Sequence, residues 1–221
     1  MGTCGLFGFK YEGKYYLVYN SSDSYFEGLG QRLLYELLLM VTSGQFDEWL
    51  GRFKQLRIVT GDDIPSPEDY DKCKPYTDPE IMKNRNPNDP ADLWYGLLYN
   101  CQGSFRAVLD SGYLKRELII DTEPIDIGFV KHAGFVSYIY VLDFDTQKFT
   151  LLYPGESYEL DKITEVVGMV TRGETDKVCK FSETKREEFD LDNLPIHLDE
   201  DEDGKHVYLH FKPIDQKPVL K

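Results

Sequence analysis

The sequence has few of the residues that build metal-stabilised or disulfide-bonded folds. Its four cysteines lie far apart, and no two of them form a Cys-x-x-Cys pair; they are Cys4, Cys73, Cys101 and Cys179. Closely spaced cysteine pairs supply most structural zinc sites, so the sequence offers no support for such a site. We expect free thiols, which are the usual state of cysteine in a cytosol-like compartment, and no cofactor.

Basic residues are outnumbered by acidic ones, and long apolar runs are lacking. The chain has 25 Lys and Arg against 39 Asp and Glu, which gives a formal net charge of −14. Nucleic acids and anionic membranes both select basic surfaces, so we expect neither partner. The longest apolar stretch, around 33–41, is interrupted by Tyr35 and Glu36 and is too short to cross a bilayer. No signal-peptide pattern follows Met1, so we expect an intracellular, cytoplasmic protein.

Aromatic residues are abundant, and many of them alternate with other residues as they do in strands. Aromatic residues make up 14% of the 221 residues, and hydrophobic residues make up 41%, which is enough for one substantial core. Residues 4–19 predict a β-hairpin that turns at Glu12-Gly13. The expected cross-strand pairs are Phe7 with Val18, Phe9 with Tyr16 and Leu6 with Tyr19.

The middle of the chain has helical periodicity and the second half has strand-like patterns. Helices are predicted over 29–42, over 46–56 and from 91 into the 100s, with a short helix at 79–83 in a loop-rich stretch from 61 to 90. Strands are predicted over 118–120, 135–144, 149–153 and 206–211. The acidic segment 183–204 is expected to be a mobile loop. This order predicts a single α+β domain over 1–221 with mainly antiparallel pairing.

Two blocks of sequence resemble a family of uncharacterised proteins from fungi, other eukaryotic microbes and large DNA viruses of amoebae. The first block reads MGTCGLFGF, then YN, DSY and GLG within residues 1–30, and the second reads YIYVLDFD at 138–145. Together they cover roughly a fifth of the chain. The resemblance implies no known reaction. Together with the acidic charge and the lack of a complete catalytic constellation, this resemblance favours a non-catalytic structural or interaction protein of viral origin, either packaged in a virion or acting on a host component.

Cys4 is the candidate nucleophile. The run Cys-Gly-Leu-Phe-Gly at 4–8 resembles the Cys-Gly-Ile-Phe-Gly opening of glutamine amidotransferases, in which the α-amino group of the cysteine is the general base. Residues precede Cys4 here, so a different base is needed. Asp23, which the hairpin brings near Cys4, is one candidate, and the others are His132, His197, His206 and His210. The alternatives are a thiol-dependent amidohydrolase or transferase and a small residue packed in a strand.

A polar loop before the first helix is the candidate ligand site. Its residues are Asn20, Ser22, Asp23, Ser24, Tyr25, Gly28 and Gly30. Such polar groups would bind a small ligand, and the glycines would allow an anion to approach a helix N-terminus. The same residue types cap helices. A small-ligand binding module and a helix cap are therefore both open.

The acidic run near the C-terminus has part of a calcium-loop pattern. Asp199, Asp201 and Asp203 precede Gly204 at the spacing with which such a loop begins. The twelfth position is His210, where the loop requires a bidentate Glu, so we expect no metal site.

The expected partners follow from charge and aromatic content. A net charge of −14 favours a protein partner with a basic surface. Tyrosines are enriched at interfaces and two-fold pairing is the commonest closed assembly, so we expect a homodimer.

Overall fold

The computed structural model describes residues 3–115, 118–120, 129–130, 134–135, 138–154, 184–200 and 207–211. The strands are β1 (Gly5–Tyr11), β2 (Lys14–Asn20), β3 (Arg57–Val59), β4 (Tyr113–Lys115), β5 (Leu118–Ile120), β6 (Phe129–Val130), β7 (Gly134–Phe135), β8 (Tyr138–Asp143), β9 (Lys148–Pro154), β10 (Thr184–Asp190), β11 (Ile196–Glu200) and β12 (Val207–Phe211). The α-helices are α1 (Gln31–Thr42), α2 (Phe46–Lys54), α3 (Pro67–Cys73), α4 (Pro79–Lys83), α5 (Pro90–Leu97) and α6 (Phe105–Ser111). A π-helical turn (Phe26–Gly30) leads into α1.

Six strands from both halves of the chain form one sheet, in the order β10-β9-β8-β1-β2-β5. Neighbouring strands are antiparallel except β1 and β8, which are parallel. The remaining strands pair in twos, and β3 with β4 is a second parallel pair. The α+β class with mainly antiparallel pairing is therefore confirmed.

The N-terminal hairpin has the predicted register. Phe7 lies opposite Val18, Phe9 opposite Tyr16 and Leu6 opposite Tyr19. The turn residues Glu12 and Gly13 have φ of 51° and 70°, which is the conformation of tight two-residue hairpin turns.

A carboxylate from the neighbouring hairpin holds this turn. The backbone N–H groups of Glu12 and Gly13 donate to the two carboxylate oxygens of Asp145 at 2.8 and 2.9 Å. Asp145 lies in the turn between β8 and β9, so the two hairpins are joined at their turns as well as along the β1–β8 ladder.

The core lies on both faces of this sheet. On one face, the ring of Phe9 packs against Phe53 of α2, Phe105 of α6 and Phe144, with ring centroids 5.2 to 5.6 Å apart. The apolar side of α1 is buried in the same cluster. The opposite face carries a second buried cluster, which comprises Leu6, Tyr15, Leu17, Ile139, Val141 and Leu152. The central strands are therefore buried on both sides.

The sequence predicts a mobile loop over 183–204, but residues 184–200 are ordered into secondary structure. They form β10, a 3₁₀ turn and β11, and β10 pairs with β9 over all of its length. The charged sequence of β10 suits this position because β10 is an edge strand, where charged side chains are common.

The helices also differ in detail from the sequence-based boundaries. The helix expected from residue 91 ends at Leu97, and α6 begins after Gly103, whose φ is 75°. Helix α4 has the predicted bounds, whereas α3 lies in the stretch that the sequence predicts to be mostly loop. The segment 163–170, whose sequence pattern fits either a strand or a helix, lies outside the described residues.

Candidate functional site

Cys4 is the residue before β1, and it lies beside the loop that follows β2. Its thiol donates to the backbone carbonyl of Ser21, with Sγ and the oxygen 3.4 Å apart. The backbone next to it is also held, because the N–H of Ser24 donates to the carbonyl of Thr3 at 3.0 Å. Cys4 is half-buried, whereas Cys73 and Cys101 are buried.

The interior of the 20–24 loop is hydrogen-bonded to itself. Asn20 and Ser24 are buried, at 5% and 0% exposure. The Asn20 amide Nδ2 donates to the Ser24 hydroxyl at 2.7 Å and to the backbone carbonyl of Ser22. The Ser24 hydroxyl donates in turn to the carbonyl of Asn20 at 3.4 Å. These two predicted ligand-binding side chains therefore stabilise the loop from inside.

At the start of the helical segment, the backbone N–H groups donate to backbone carbonyls rather than to side chains. The N–H of Leu29 donates to the carbonyl of Asp23 at 2.9 Å, and the N–H of Gly28 donates to that of Tyr25 at 3.1 Å. Asp23 has a φ of 53°. A Cβ on Gly28 would lie 2.4 Å from the Asp23 carbonyl oxygen, so only glycine fits there.

Tyr140 of β8 ties this loop to the sheet. Its hydroxyl donates to the backbone carbonyl of Ser24 at 2.9 Å. Burial, followed by the nearby Tyr138 and Glu27, raises the pKa of Tyr140 well above its ordinary value, which keeps the hydroxyl protonated as a donor. A Cβ on Gly30 would lie 3.0 Å from the Tyr140 hydroxyl oxygen. The glycine allows the helix to approach the tyrosine closely.

The solvent-facing part of the site is small. Ser22, Asp23 and Tyr25 are exposed, and Gly28 is partly exposed. The structure thus brings the predicted ligand-binding residues together in one loop next to Cys4. It divides them into a buried, internally bonded half and an exposed rim.

The other sequence candidates lie elsewhere. His197 and His210 are opposite each other on β11 and β12, and Asp199 of β11 lies opposite Tyr208. His132, His206, Asp201 and Asp203 lie outside the described residues. Among the residues that the structure does describe, no group of three His, Cys, Asp or Glu side chains is placed to hold a metal ion.

A hydrogen-bonded network that sequence reasoning missed joins the buried Asp69 of α3 to the exposed Arg57 of β3 and the buried Tyr113 of β4. Asp69 is 2% exposed, and its carboxylate accepts from the Arg57 guanidinium and the Tyr113 hydroxyl, each at 2.7 Å. It also accepts from the backbone N–H and hydroxyl of Ser66, at 2.8 and 2.9 Å. Burial raises the pKa of this carboxyl, but the hydrogen bonds from Tyr113, Ser66 and Arg57 outweigh burial and lower its pKa to about 2.

The signal for this network was present in the sequence. Ser66-Pro67-Glu68-Asp69 has the Ser-x-x-acid spacing of a capping box with proline in the first turn of the helix. The structure forms that box, since Asp69 N–H donates back to the Ser66 hydroxyl at 3.3 Å. The partners from β3 and β4 are distant in sequence and had no local signal.

A shallow pocket lies beside Tyr113 of this network. Its described lining residues are Val18, Tyr19, Trp94, Tyr95, Leu98, Cys101, Gln102, Val108, Tyr113 and Lys115. Its volume of about 20 Å³ is close to the space that one water molecule needs. The pocket is therefore too small for a metabolite.

The comparisons with known proteins add no family. No family model matches the chain, and no curated protein or solved structure is significantly similar to it. Within the described ranges, no helix has the length and apolar character needed to cross a membrane.

Proposed function

We propose that this chain is a non-catalytic structural or interaction protein. The observation that carries the proposal is the bonding of the candidate site. The Cys4 thiol donates to the Ser21 carbonyl, and Asn20 and Ser24 bond to each other and to the loop backbone. Polar groups whose hydrogen bonds are made within the protein in this way stabilise the junction between β1, β2 and α1. A catalytic site instead aims such groups at a substrate.

The origin, compartment and partners belong to the same proposal. The resemblance of the two sequence blocks supports a virion component or a protein that acts on a host component, inside the cell. The net charge of −14 supports a partner with a basic surface. A homodimer is the second proposed association, and it is supported by the general prevalence of two-fold assemblies.

The alkylation rate of Cys4 tests the proposal. Wild-type protein and the Cys4→Ser variant would be treated with iodoacetamide at about pH 6.5, with glutathione as the reference thiol. We expect Cys4 to react no faster than glutathione, because its thiol donates to a carbonyl. A rate at least about tenfold above that of glutathione, absent from Cys4→Ser, would contradict a purely structural role.

One observation favours the thiol-dependent amidohydrolase or transferase as a second candidate. Cys4 is more accessible than Cys73 and Cys101, the other two described cysteines, and it lies next to the exposed rim at Ser22 and Asp23. That function needs a base for the thiol, and Asp23 is the nearest candidate along the hairpin. If Asp23 is the base, Asp23→Asn slows alkylation of Cys4, whereas Ser22→Ala does not.

The exposed rim would also serve a small-ligand binding module. This third function differs from the enzyme because Cys4→Ser would leave ligand binding intact.

A further inference from the structure

The dipeptide Ser66-Pro67 marks the start of α3, where an exposed loop ends. No other serine or threonine in the 221 residues precedes a proline. Ser66 is exposed, and its φ of −81° and ψ of 163° are those of extended backbone. Protein kinases bind the segment around the acceptor hydroxyl in an extended conformation, and one class of them selects a serine that precedes a proline. Proline suits that position because it has no backbone N–H that needs a hydrogen-bond partner.

The segment around Ser66 is accessible to an enzyme. Ile64, Pro67 and Glu68 are exposed, and α3 itself has seven residues, of which Asp69 and Cys73 are buried. A short helix with few buried side chains is the kind of segment that opens locally before the rest of a protein unfolds. Local opening of the first turn of α3 would give a kinase the extended segment that it binds.

The hydroxyl of Ser66 has a structural role in the unmodified protein. It donates to a carboxylate oxygen of Asp69 at 2.9 Å, and the backbone N–H of Ser66 donates to the same oxygen at 2.8 Å. A carboxylate has no proton of its own to donate. The hydroxyl proton is therefore what allows the serine oxygen to lie so close to the carboxylate.

A phosphoryl group on this oxygen would replace the attraction by repulsion. The hydroxyl proton is lost, and the phosphate adds a charge of about −1.5 to −2 at neutral pH. Asp69 is 2% exposed, and its pKa of about 2 keeps the carboxylate ionised at neutral pH. A phosphate beside a buried carboxylate is unfavourable, because like charges repel and burial weakens the screening by water.

Arg57 of β3 is the cation that such a phosphate would meet. Its guanidinium donates to the other carboxylate oxygen of Asp69 at 2.7 Å, and its side chain is 49% exposed. A phosphate carries more charge than a carboxylate and has three oxygens that accept from a guanidinium. A phosphate on Ser66 therefore competes with Asp69 for Arg57, which weakens the link between α3 and β3.

We propose that Ser66 is a phosphorylation site for a protein kinase that selects Ser-Pro, and that its phosphorylation releases α3 from the β3–β4 pair. The kinase transfers the γ-phosphoryl group of ATP to Ser66 Oγ. An Oγ–P bond forms, the bond between the γ-phosphorus and the oxygen bridging to the β-phosphate breaks, and ADP leaves. The hydroxyl proton passes to the catalytic carboxylate of the kinase. Cys73, which is fully buried at the end of α3, becomes accessible when the helix is released.

Incubation of the full chain with a kinase of this class, Mg²⁺ and ATP tests the site. We expect one phosphoryl group per chain, located on Ser66 by peptide mapping, and uptake at least about tenfold slower in Pro67→Ala, which circular dichroism shows to be folded. Ser43 is also exposed but precedes Gly44, so it is the internal control and should remain unmodified. A short Ser-Pro peptide shows that the kinase is active. A wild-type chain that takes up no phosphate, or takes it up at another residue, would overturn the proposal.

Alkylation of Cys73 tests the release of α3. We expect iodoacetamide to label Cys73 at least about tenfold faster in the phosphorylated protein than in the unmodified protein, because α3 opens more often. Cys4, which lies beside the 20–24 loop, is the internal reference and should keep its rate. Ser66→Ala removes the hydroxyl without adding charge, so it should accelerate labelling of Cys73 less than phosphorylation does. An unchanged rate for Cys73 in the phosphorylated protein would overturn the release of α3.

Discussion

The hydroxyl of Tyr113 donates to the carboxylate of Asp69 at 2.7 Å, which joins the first turn of α3 to β4 in the interior of the protein. The Arg57 guanidinium reaches the same carboxylate oxygen from β3. Burial is the largest cause that raises the pKa of Tyr113, and the hydrogen bond to Asp69 raises it further, so the phenol remains protonated. This network fixes the parallel β3–β4 pair against the helix that follows it.

Asp69→Asn should lower the free energy of unfolding at pH 7 by about 2 kcal/mol. The pKa of Asp69 is about 2 in the folded protein, below its ordinary value of 3.8. A depressed carboxyl pKa contributes stability above about pH 4 and loses it as the pH falls towards 2. Urea unfolding at several pH values should therefore show a shallower acid dependence in the variant.

The matched control for this prediction is Asp62→Asn. Asp62 is an exposed carboxylate close in sequence, and its removal should change the free energy of unfolding by less than about 0.5 kcal/mol. Equal losses in both variants would mean that net charge, rather than the buried network, sets the acid sensitivity.

Gly5→Ala should destabilise the protein, whereas Gly51→Ala should stabilise it. A Cβ at Gly5 would lie 2.6 Å from the Ser24 Cβ and 2.8 Å from the Tyr138 carbonyl oxygen, so the variant should lose about 1 to 3 kcal/mol. Gly51 lies within α2, where a Cβ would meet nothing within 4 Å, and alanine should gain about 0.5 to 1 kcal/mol there. Thermal melts of both variants measure the contrast, and a neutral Gly5→Ala would mean that β1 and the 20–24 loop are loosely packed.

Asp145→Ala should loosen the turn of the first hairpin. The change leaves the N–H groups of Glu12 and Gly13 without their carboxylate partner, which should reduce the free energy of unfolding by about 1 to 2 kcal/mol. Hydrogen exchange at these two amides should accelerate in the variant. Thr146→Ala, in the same turn, is the control and should leave both amides protected.

Cys73 and Cys101 should resist thiol reagents in the native protein. Burial is the main cause that raises the pKa of Cys73 to about 11 and that of Cys101 to about 12, so little thiolate forms at neutral pH. Peptide mapping after brief labelling at pH 7 should find Cys4 modified before either of them. Labelling of all three at similar rates would show that the α3 and α6 region opens readily.

The sequence predicted the first hairpin closely because its information is local. Glu12-Gly13 is a turn signal, and alternation sets which of Phe7 and Leu6 faces the helices. Helix α4 was equally readable from Pro79 and its neighbours. The sequence did not indicate that β1 pairs in parallel with β8, because a pairing between Gly5 and Tyr138 depends on how the intervening elements pack.

The sequence predicted that the 20–24 loop lies beside Cys4, but not how the side chains of that loop are bonded. The hairpin register correctly brought the 20–24 loop beside Cys4. Whether Asn20 and Ser24 face solvent or each other depends on the position of Tyr140, which comes from a distant strand. The bonds that hold the loop between β3 and α3 had no local signal either, because the Asp63 carbonyl accepts from Trp94, which is distant in sequence.

The parallel β1–β8 pairing has a consequence for the synthesis of the chain. Phe7 and Phe9 belong to β1, which precedes β8 by more than a hundred residues, so β1 gains this second neighbour only after residue 143 has been made. Contacts between residues so far apart in sequence form slowly, because the entropy of closing the long intervening loop is lost before the contacts can stabilise the fold. We expect nascent chains that stop short of β8 to expose these phenylalanines and to depend on chaperones, and the six-stranded sheet to form only after β8, β9 and β10 have been made.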